Sequence, residues 1–278
     1  MTFRKFGFVC AVAGFIITGV SADYVWAQAA APAAKAPPFV PKSGQAGKDV
    51  VWVPTPQALV DRMLDMAKIT PQDYLIDLGS GDGRTVITAA KRGTRAHGIE
   101  YNPDMVALAK FNAENEKVTE NATFVQGDIF QSDFTKASVI TLFLLPELNV
   151  RLRPILLNMK PGTRVISNSF DMGDWKAEET INAGGDCTSW CTAYRWTVPA
   201  KVAGSWKLSN GELKLNQTYQ NLDGTLTVDG KAATISNAKM SGAEITFTAG
   251  GKRYTGKVDG SAISGTVQGG GNWSATKT

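Results

Sequence analysis

One short segment, residues 74–84 (YLIDLGSGDGR), limits the folds open to this chain of 278 residues. Its apolar first half is typical of a buried strand, and the strand ends at an acid, Asp77. Gly79, Gly81 and Gly83 follow at alternate positions, and a helical pattern begins directly after them. Glycines allow the backbone to turn sharply and leave no Cβ between the strand end and a ligand. The segment therefore predicts a strand, a ligand-binding turn and a helix.

Strand and helix patterns alternate around this unit. Strands are predicted at 74–78, 95–100, 122–126, 138–145 and 163–169. Helices are predicted at 59–67, where Thr55 would cap and Pro56 would take the first position, and at 85–91, 103–116 and 148–159. This alternation predicts an α/β fold with a Rossmann-like, doubly wound, mainly parallel sheet over residues 53–200. Such a sheet binds ligands beyond the carboxyl ends of its strands.

The composition changes near Pro199. Residues 203–278 are rich in Gly, Thr and Ser, and alternating patterns predict strands at 213–219, 225–228, 244–248, 254–258 and 263–267. Glycine-containing turns separate these strands, as in antiparallel hairpins. We expect a small all-β barrel or sandwich domain at 201–278, with Trp206 and Trp273 meeting in its core. A structural or protein-binding role is favoured over a ligand cavity, because the segment offers no catalytic constellation.

The N-terminus has the layout of a secretory signal peptide. Arg4 and Lys5 precede an apolar run at 6–20, and Ala27-Gln28-Ala29 offers a cleavage site. We predict a signal peptide at 1–29 and a linker at 30–52, whose last part, 42–52, would be an exposed approach. An uncleaved membrane anchor is the alternative. Either reading predicts an exported protein, periplasmic or membrane-anchored.

Export bears on the cysteines. In an oxidising compartment, Cys187 and Cys191 are predicted to form a small disulfide loop, with two unpaired cysteines in a loop as the alternative.

Composition excludes several functions. Hydrophobic residues make up 43% and charged residues 19%, which excludes disorder for the chain as a whole. A single histidine, His97, with three cysteines excludes a His-based zinc site, and no metal is predicted. The net charge of +4 is not clustered, so a nucleic-acid partner is not expected.

Two further acids follow strands of the predicted sheet. Glu100 ends the second strand, where a carboxylate is able to accept hydrogen bonds from ribose hydroxyls. Asp128 follows the third strand and suits an exocyclic adenine amine. Asp77 and Asp82 would repel a phosphate but suit a cation. The pattern predicts a site for a cationic, adenosine-bearing ligand and disfavours a nicotinamide cofactor, as does the G-x-G-x-G spacing.

With these residues in place, the segment from about 53 to 175 resembles the class I S-adenosylmethionine-dependent methyltransferases. Residues 77–83 match the family's motif I, Glu100 its ribose-binding acid and Asp128 its adenine-side acid. Residues 53–56 (VPTP), 77–84 and 143–146 (FLLP) are similar to a subgroup related to the seven-strand lysine methyltransferases, including the mitochondrial FAM173-type enzymes. The resemblance implies that 54–56 lie against the cofactor and 144–146 line the methyl-acceptor side. The Asp/Asn-Pro-Pro-Tyr signature of amino-methylating relatives is absent.

The predicted cofactor is S-adenosyl-L-methionine. Its predicted binding residues are Thr55, Asp77, Gly79, Ser80, Gly81, Asp82, Gly83, Glu100, Tyr101, Asp128 and Ile129. No catalytic residue is identified, and the candidates are Glu147, Asn149 and Asp171. Helix capping is the alternative for the first two and turn formation for the third.

The resulting prediction is a methyltransferase that acts on a protein side chain, with lysine favoured by the resemblance. The alternative is a non-catalytic envelope binding protein built on a methyltransferase scaffold, which the export signal favours.

Overall fold

The computed structural model describes residues 36–185 and 187–278. The predicted signal peptide and the start of the predicted linker lie outside these residues. Within them, no helix combines the length and the apolarity that crossing a membrane requires.

A seven-stranded sheet forms the first part of the fold. Its strands are β1 Tyr74–Leu78, β2 Arg95–Glu100, β3 Ala122–Gln126, β4 Val139–Leu142, β5 Arg164–Asn168, β6 Glu179–Asn182 and β7 Thr192–Thr197. Their order across the sheet is β3-β2-β1-β4-β5-β7-β6. The first five strands are parallel, and β7 and β6 join as an antiparallel hairpin. The strand order reverses between β1 and β4, which places a ligand crevice beside the end of β1.

Helices cover both faces of this sheet. They are α1 Gln57–Ala67, α2 Arg84–Lys91, α3 Pro103–Asn115 and α4 Pro146–Leu156. Successive strand residues point to opposite faces, so Leu75 packs with α1, α2 and α3, while Ile76 packs with α4. The predicted α/β architecture is confirmed. The hairpin of β6 and β7 was not predicted, and the fourth strand is shorter than the 138–145 expected.

Two predicted helix starts are wrong. Pro56 itself is the residue before α1, and the Thr55 hydroxyl caps nothing but accepts a hydrogen bond from Asn168 Nδ2 at 3.2 Å. Helix α4 begins at Pro146 rather than 148, because proline's fixed φ suits a first helical turn.

A closed antiparallel barrel forms the second part. Its nine strands are β8 Gly204–Leu208, β9 Gly211–Thr218, β10 Asn221–Val228, β11 Lys231–Thr234, β12 Ser236–Ser241, β13 Glu244–Ala249, β14 Lys252–Asp259, β15 Ala262–Val267 and β16 Asn272–Lys277. Pairing of β9 with β10 closes eight strands into a ring, and β11 extends β10 outside it. Of the two architectures expected, the barrel is the one formed.

The barrel interior is filled by side chains. Trp206 and Trp273 both belong to this core, where Trp273 packs edge-on against Phe247. Gly256 makes room for Trp273, because a Cβ there would lie 2.9 Å from the indole ring. The barrel contacts the α/β part through Tyr219, which stacks on Trp175 with ring centroids 6.3 Å apart.

Candidate functional site

A large cavity lies at the carboxyl ends of β1, β2 and β4. Its empty volume is about 1060 Å³, counting the solvent at its mouth. All of the predicted cofactor-binding residues except Gly83 line it. Gly83 faces the protein interior, where a Cβ would lie 2.8 Å from the Phe124 ring and 2.9 Å from Ala109. Its glycine is required by helix packing rather than by a ligand.

The turn after β1 forms the floor of the cavity. Gly79 and Gly81 have φ values of 80° and 54°, which favour glycine, and both line the cavity. A Cβ on Gly81 would lie 2.6 Å from Trp52 Nε1. The backbone here is therefore open to close approach by a ligand, as the sequence predicts.

Asp77 is the buried acid of the site. Its side chain accepts a hydrogen bond from the Thr141 hydroxyl at 2.6 Å and has no cationic partner among the described residues. Burial raises the pKa of the Asp77 carboxyl to about 7, and the negative charges of Glu100 and Asp82 raise it further. A buried acid in this state suits a cationic ligand, which would restore its negative charge.

Glu100 is fixed by backbone hydrogen bonds. One carboxylate oxygen accepts from Gly81 N at 2.9 Å and the other from Asn102 N at 3.0 Å. Each oxygen retains a free lone pair for a ligand hydroxyl. Because Glu100 also holds the glycine turn, it links the end of β2 to the floor of the cavity.

The two remaining acids are ion-paired. Asp82 pairs with Arg84 at 2.6 Å, and Arg84 also donates to the Thr55 carbonyl. Asp128 pairs with Lys48 at 2.6 Å and accepts from Phe130 N, which together lower the pKa of its carboxyl. An adenine amine that binds Asp128 must therefore share this carboxylate with Lys48 or replace it.

Residues 42–53 form one wall of the cavity, and we call this segment the strap. It folds back on itself through a bridge between Ala46 and Val51 and through Gly44 N donating to Trp52 O at 2.8 Å. Gln45 reaches Met105 Sδ at 3.8 Å, and Lys48 reaches Asp128. The prediction of an exposed approach at 42–52 is therefore wrong. The composition of the strap is that of a linker, and only its pairing and its contacts identify it.

The three catalytic candidates do not line the cavity. Asn149 is fully buried behind it and donates to the carbonyls of Phe170 and Asp171 at 3.2 and 3.1 Å. The Asp171 carboxylate accepts from Gly173 N, as in a turn, and Glu147 is exposed in the first turn of α4. These positions support structural roles for all three.

The sheet order, the cavity and its acids fit S-adenosylmethionine. Glycines that keep the floor clear and an unpaired buried acid match a ligand with an adenosine moiety and a positive charge. The fold and the site thus define a class I S-adenosylmethionine-dependent methyltransferase.

Comparisons with known proteins agree. The family model described as the ANTKMT methyltransferase domain matches residues 77–179. A protein-lysine N-methyltransferase of Saccharolobus islandicus is 44% identical over 135 residues, which are 48% of this chain and 84% of that protein. An ATP synthase lysine N-methyltransferase of Rattus norvegicus is 33% identical over 186 residues, 64% of this chain and 79% of that protein.

A solved structure gives the same fold. A Salinibacter ruber protein described as an RNA methyltransferase, in complex with S-adenosyl-L-homocysteine, is 47% identical with a TM-score of 0.50. The match covers 54% of this chain and 96% of that one. The chain belongs to the ANTKMT-type family of S-adenosylmethionine-dependent methyltransferases. The described residues and these relatives provide no support for the non-catalytic alternative.

Proposed function

We propose that the methyl acceptor of this enzyme is a lysine side chain of a protein. The observation that carries the proposal is a second cavity, the acceptor groove, which opens onto the cofactor cavity. The two cavities share residues of the strap together with Phe143 and Leu144. The remaining wall of the acceptor groove is formed by Leu145, Phe170 and Trp190.

The acceptor groove is apolar and carries a single charge. Of the described residues that line it, only Asp49 is charged. Val51, Leu145 and Trp190 remain 57%, 41% and 42% exposed, which is unusual for side chains of this size and marks a binding surface. A lysine side chain has a matching form, since an apolar stem of four methylenes ends in an ammonium.

The same lining disfavours an RNA acceptor. Nucleic-acid sites present Lys and Arg to the phosphates and expose aromatic faces for base stacking. The acceptor groove offers no Lys or Arg among its described residues. The RNA acceptor named for the Salinibacter ruber protein therefore does not carry over to this chain, whereas the lysine named for the other two relatives agrees with the groove.

The chain's residues orient and dehydrate the reactants. When bound, S-adenosylmethionine supplies a methyl group on a positive sulfonium, open to in-line displacement by a lone pair. Asp77 and Glu100 hold the two ends of the cofactor near the switch point of the sheet, and Leu144 lies between the two cavities. Apolar walls exclude water and lower the pKa of an entering amine, so that its neutral form is populated. This accounts for a site without a dedicated general base.

The test labels the acceptor directly. The full chain is incubated with envelope proteins and S-adenosylmethionine whose methyl group is deuterated, and digests are searched for labelled lysine by mass spectrometry. We expect label on lysine that is lost with the Glu100→Ala variant. Label in RNA, or in another amino acid, would refute the proposed acceptor.

We also propose that the mature protein is exported, and that an uncleaved N-terminal segment would attach it to the membrane. The basic and apolar pattern of residues 1–29 and the disulfide between Cys187 and Cys191 support this location. Cell fractionation with N-terminal sequencing of the mature chain tests it. Recovery from the cytosol with an intact N-terminus would contradict it.

A further inference from the structure

The outer wall of the acceptor groove is a cluster of three aromatic rings. Phe143 lies 5.6 Å from Trp190 and 6.2 Å from Phe170 between ring centroids, and Phe170 lies 5.7 Å from Trp190. Phe143 follows β4 and Phe170 follows β5, so both rings are placed by the sheet. Trp190 is placed differently, because it belongs to the loop that joins β6 to β7.

That loop is closed by a disulfide. Cys187 and Cys191 are joined, with Cα atoms 5.8 Å apart, which confirms the predicted pairing. Ala183 N donates to the Cys191 carbonyl at 2.8 Å, which continues the hairpin to the bridge. Gly184 and Gly185, both with positive φ and nothing within 4 Å of a built Cβ, precede the bridge. Without the bridge, the loop has few other restraints.

Trp190 has a backbone conformation that a free loop would not keep. Its φ is 57°, in the left-handed region where a bulky residue is strained by about 1–2 kcal/mol. Such a conformation persists only where the surroundings fix it. The neighbouring half-cystine and the two phenylalanine rings provide that restraint, while 42% of Trp190 stays exposed to the groove.

We infer that Trp190 is an acceptor-binding residue and that the Cys187–Cys191 disulfide is the device that holds it in the wall of the acceptor groove. The inference rests on the proposed function, since it assigns the groove to the stem of the acceptor lysine. Trp190 covers the apolar stem, and Asp49 attracts its charged end. The two cysteines act through Trp190 and touch neither reactant.

The redox state of the loop then controls the acceptor and leaves the cofactor alone. Neither Trp190 nor the cysteines line the cofactor cavity. Loss of the bridge should therefore weaken acceptor binding about tenfold, since an aromatic contact of this type contributes about 1.4 kcal/mol, without a change in cofactor affinity.

The experiment uses the full chain labelled with 5-fluorotryptophan and saturated with S-adenosylhomocysteine. The probe is butylamine, which reproduces the lysine side chain, and 1-butanol is the uncharged control. The fluorine resonance of Trp190 is assigned by its absence from Trp190→Phe. We expect butylamine to shift this resonance saturably, and the half-saturating concentration to rise about tenfold in the Cys187→Ser/Cys191→Ser double variant.

Ser189→Ala is the matched control, because it changes the same loop and keeps both the bridge and Trp190. It should bind butylamine as the parent does. Unchanged calorimetric binding of S-adenosylhomocysteine shows that each variant is folded. If the double variant does not fold, Trp190→Ala tests the same wall with the bridge intact. It should show the same tenfold loss, with butylamine binding followed by protection of the Cys191 amide in hydrogen exchange.

The outcomes separate the two proposals. A double variant that binds butylamine like the parent, or a Trp190 resonance that butylamine leaves unmoved, overturns the inference. Butylamine binding with no lysine labelled in the deuterium experiment would instead refute the proposed function. With a labelled acceptor in hand, the double variant should raise its KM about tenfold while the KM for S-adenosylmethionine stays constant.

Discussion

Replacing Asp77 by Asn should stabilise the ligand-free protein and impair its use of the cofactor. Asparagine has nearly the same shape and keeps an oxygen that accepts from Thr141, but it has no charge to bury. The pKa of Asp77 rises from 3.8 to about 7 on folding. The folded state therefore binds the Asp77 proton more tightly than the unfolded state does.

The sign and size follow from linkage. Between pH 3.8 and about 7 the folded chain holds more protons than the unfolded chain, so the free energy of unfolding falls as pH rises through this window. Each pH unit inside it changes that free energy by about 1.4 kcal/mol. From pH 5 to pH 8 the parent should therefore lose about 3 kcal/mol relative to Asp77→Asn, while titrations common to both proteins cancel.

Urea unfolding followed by circular dichroism, at pH 5 and pH 8 without ligand, measures this difference. The variant should match the parent most closely at pH 5 and exceed it at pH 8. A stability difference that is the same at both pH values would show that Asp77 does not carry the buried proton. Saturating S-adenosylmethionine should reverse the order at pH 8, because the cation stabilises the Asp77 carboxylate but not the amide.

Three further predictions concern the cofactor cavity. Glu100→Ala should weaken S-adenosylhomocysteine binding by about 1–3 kcal/mol in calorimetry, since it removes charged hydrogen bonds, and unchanged affinity would refute its assignment. Gly81→Ala should weaken binding more than Gly250→Ala, because φ is 54° and 55° at these residues but only the Gly81 Cβ would meet the strap; equal calorimetric effects would show that backbone strain alone matters. Lys48→Ala should tighten binding and reduce its dependence on salt, because it frees the Asp128 carboxylate, whereas weaker binding would show that Lys48 contacts the ligand instead.

The cofactor half of the site was predictable from sequence because its signals are local. Asp77, Gly79 and Gly81 are adjacent in the chain, and Glu100 and Asp128 each follow a strand whose apolar pattern is clear. Parallel strands bring their carboxyl ends to one edge, so adjacency in the sheet follows from the order of the patterns.

The acceptor half depends on contacts between distant segments. Phe143, Phe170 and Trp190 come from three different loops, and nothing in their local sequence shows that the rings meet. The strap was missed for a related reason. Its lysines and glycines are typical of a linker, and its order comes from contacts with Asp128 and Met105, which lie far along the chain.

The strap has a consequence for the speed of the catalytic cycle. Because residues 42–53 form a wall of the cofactor cavity, the spent cofactor leaves only as fast as the Lys48–Asp128 pair and the Trp52 contact release. A long residence time per cofactor molecule follows, and product release rather than methyl transfer would limit turnover. An enzyme with this kinetic design retains its cofactor across dilution, which suits a compartment where that cofactor is scarce.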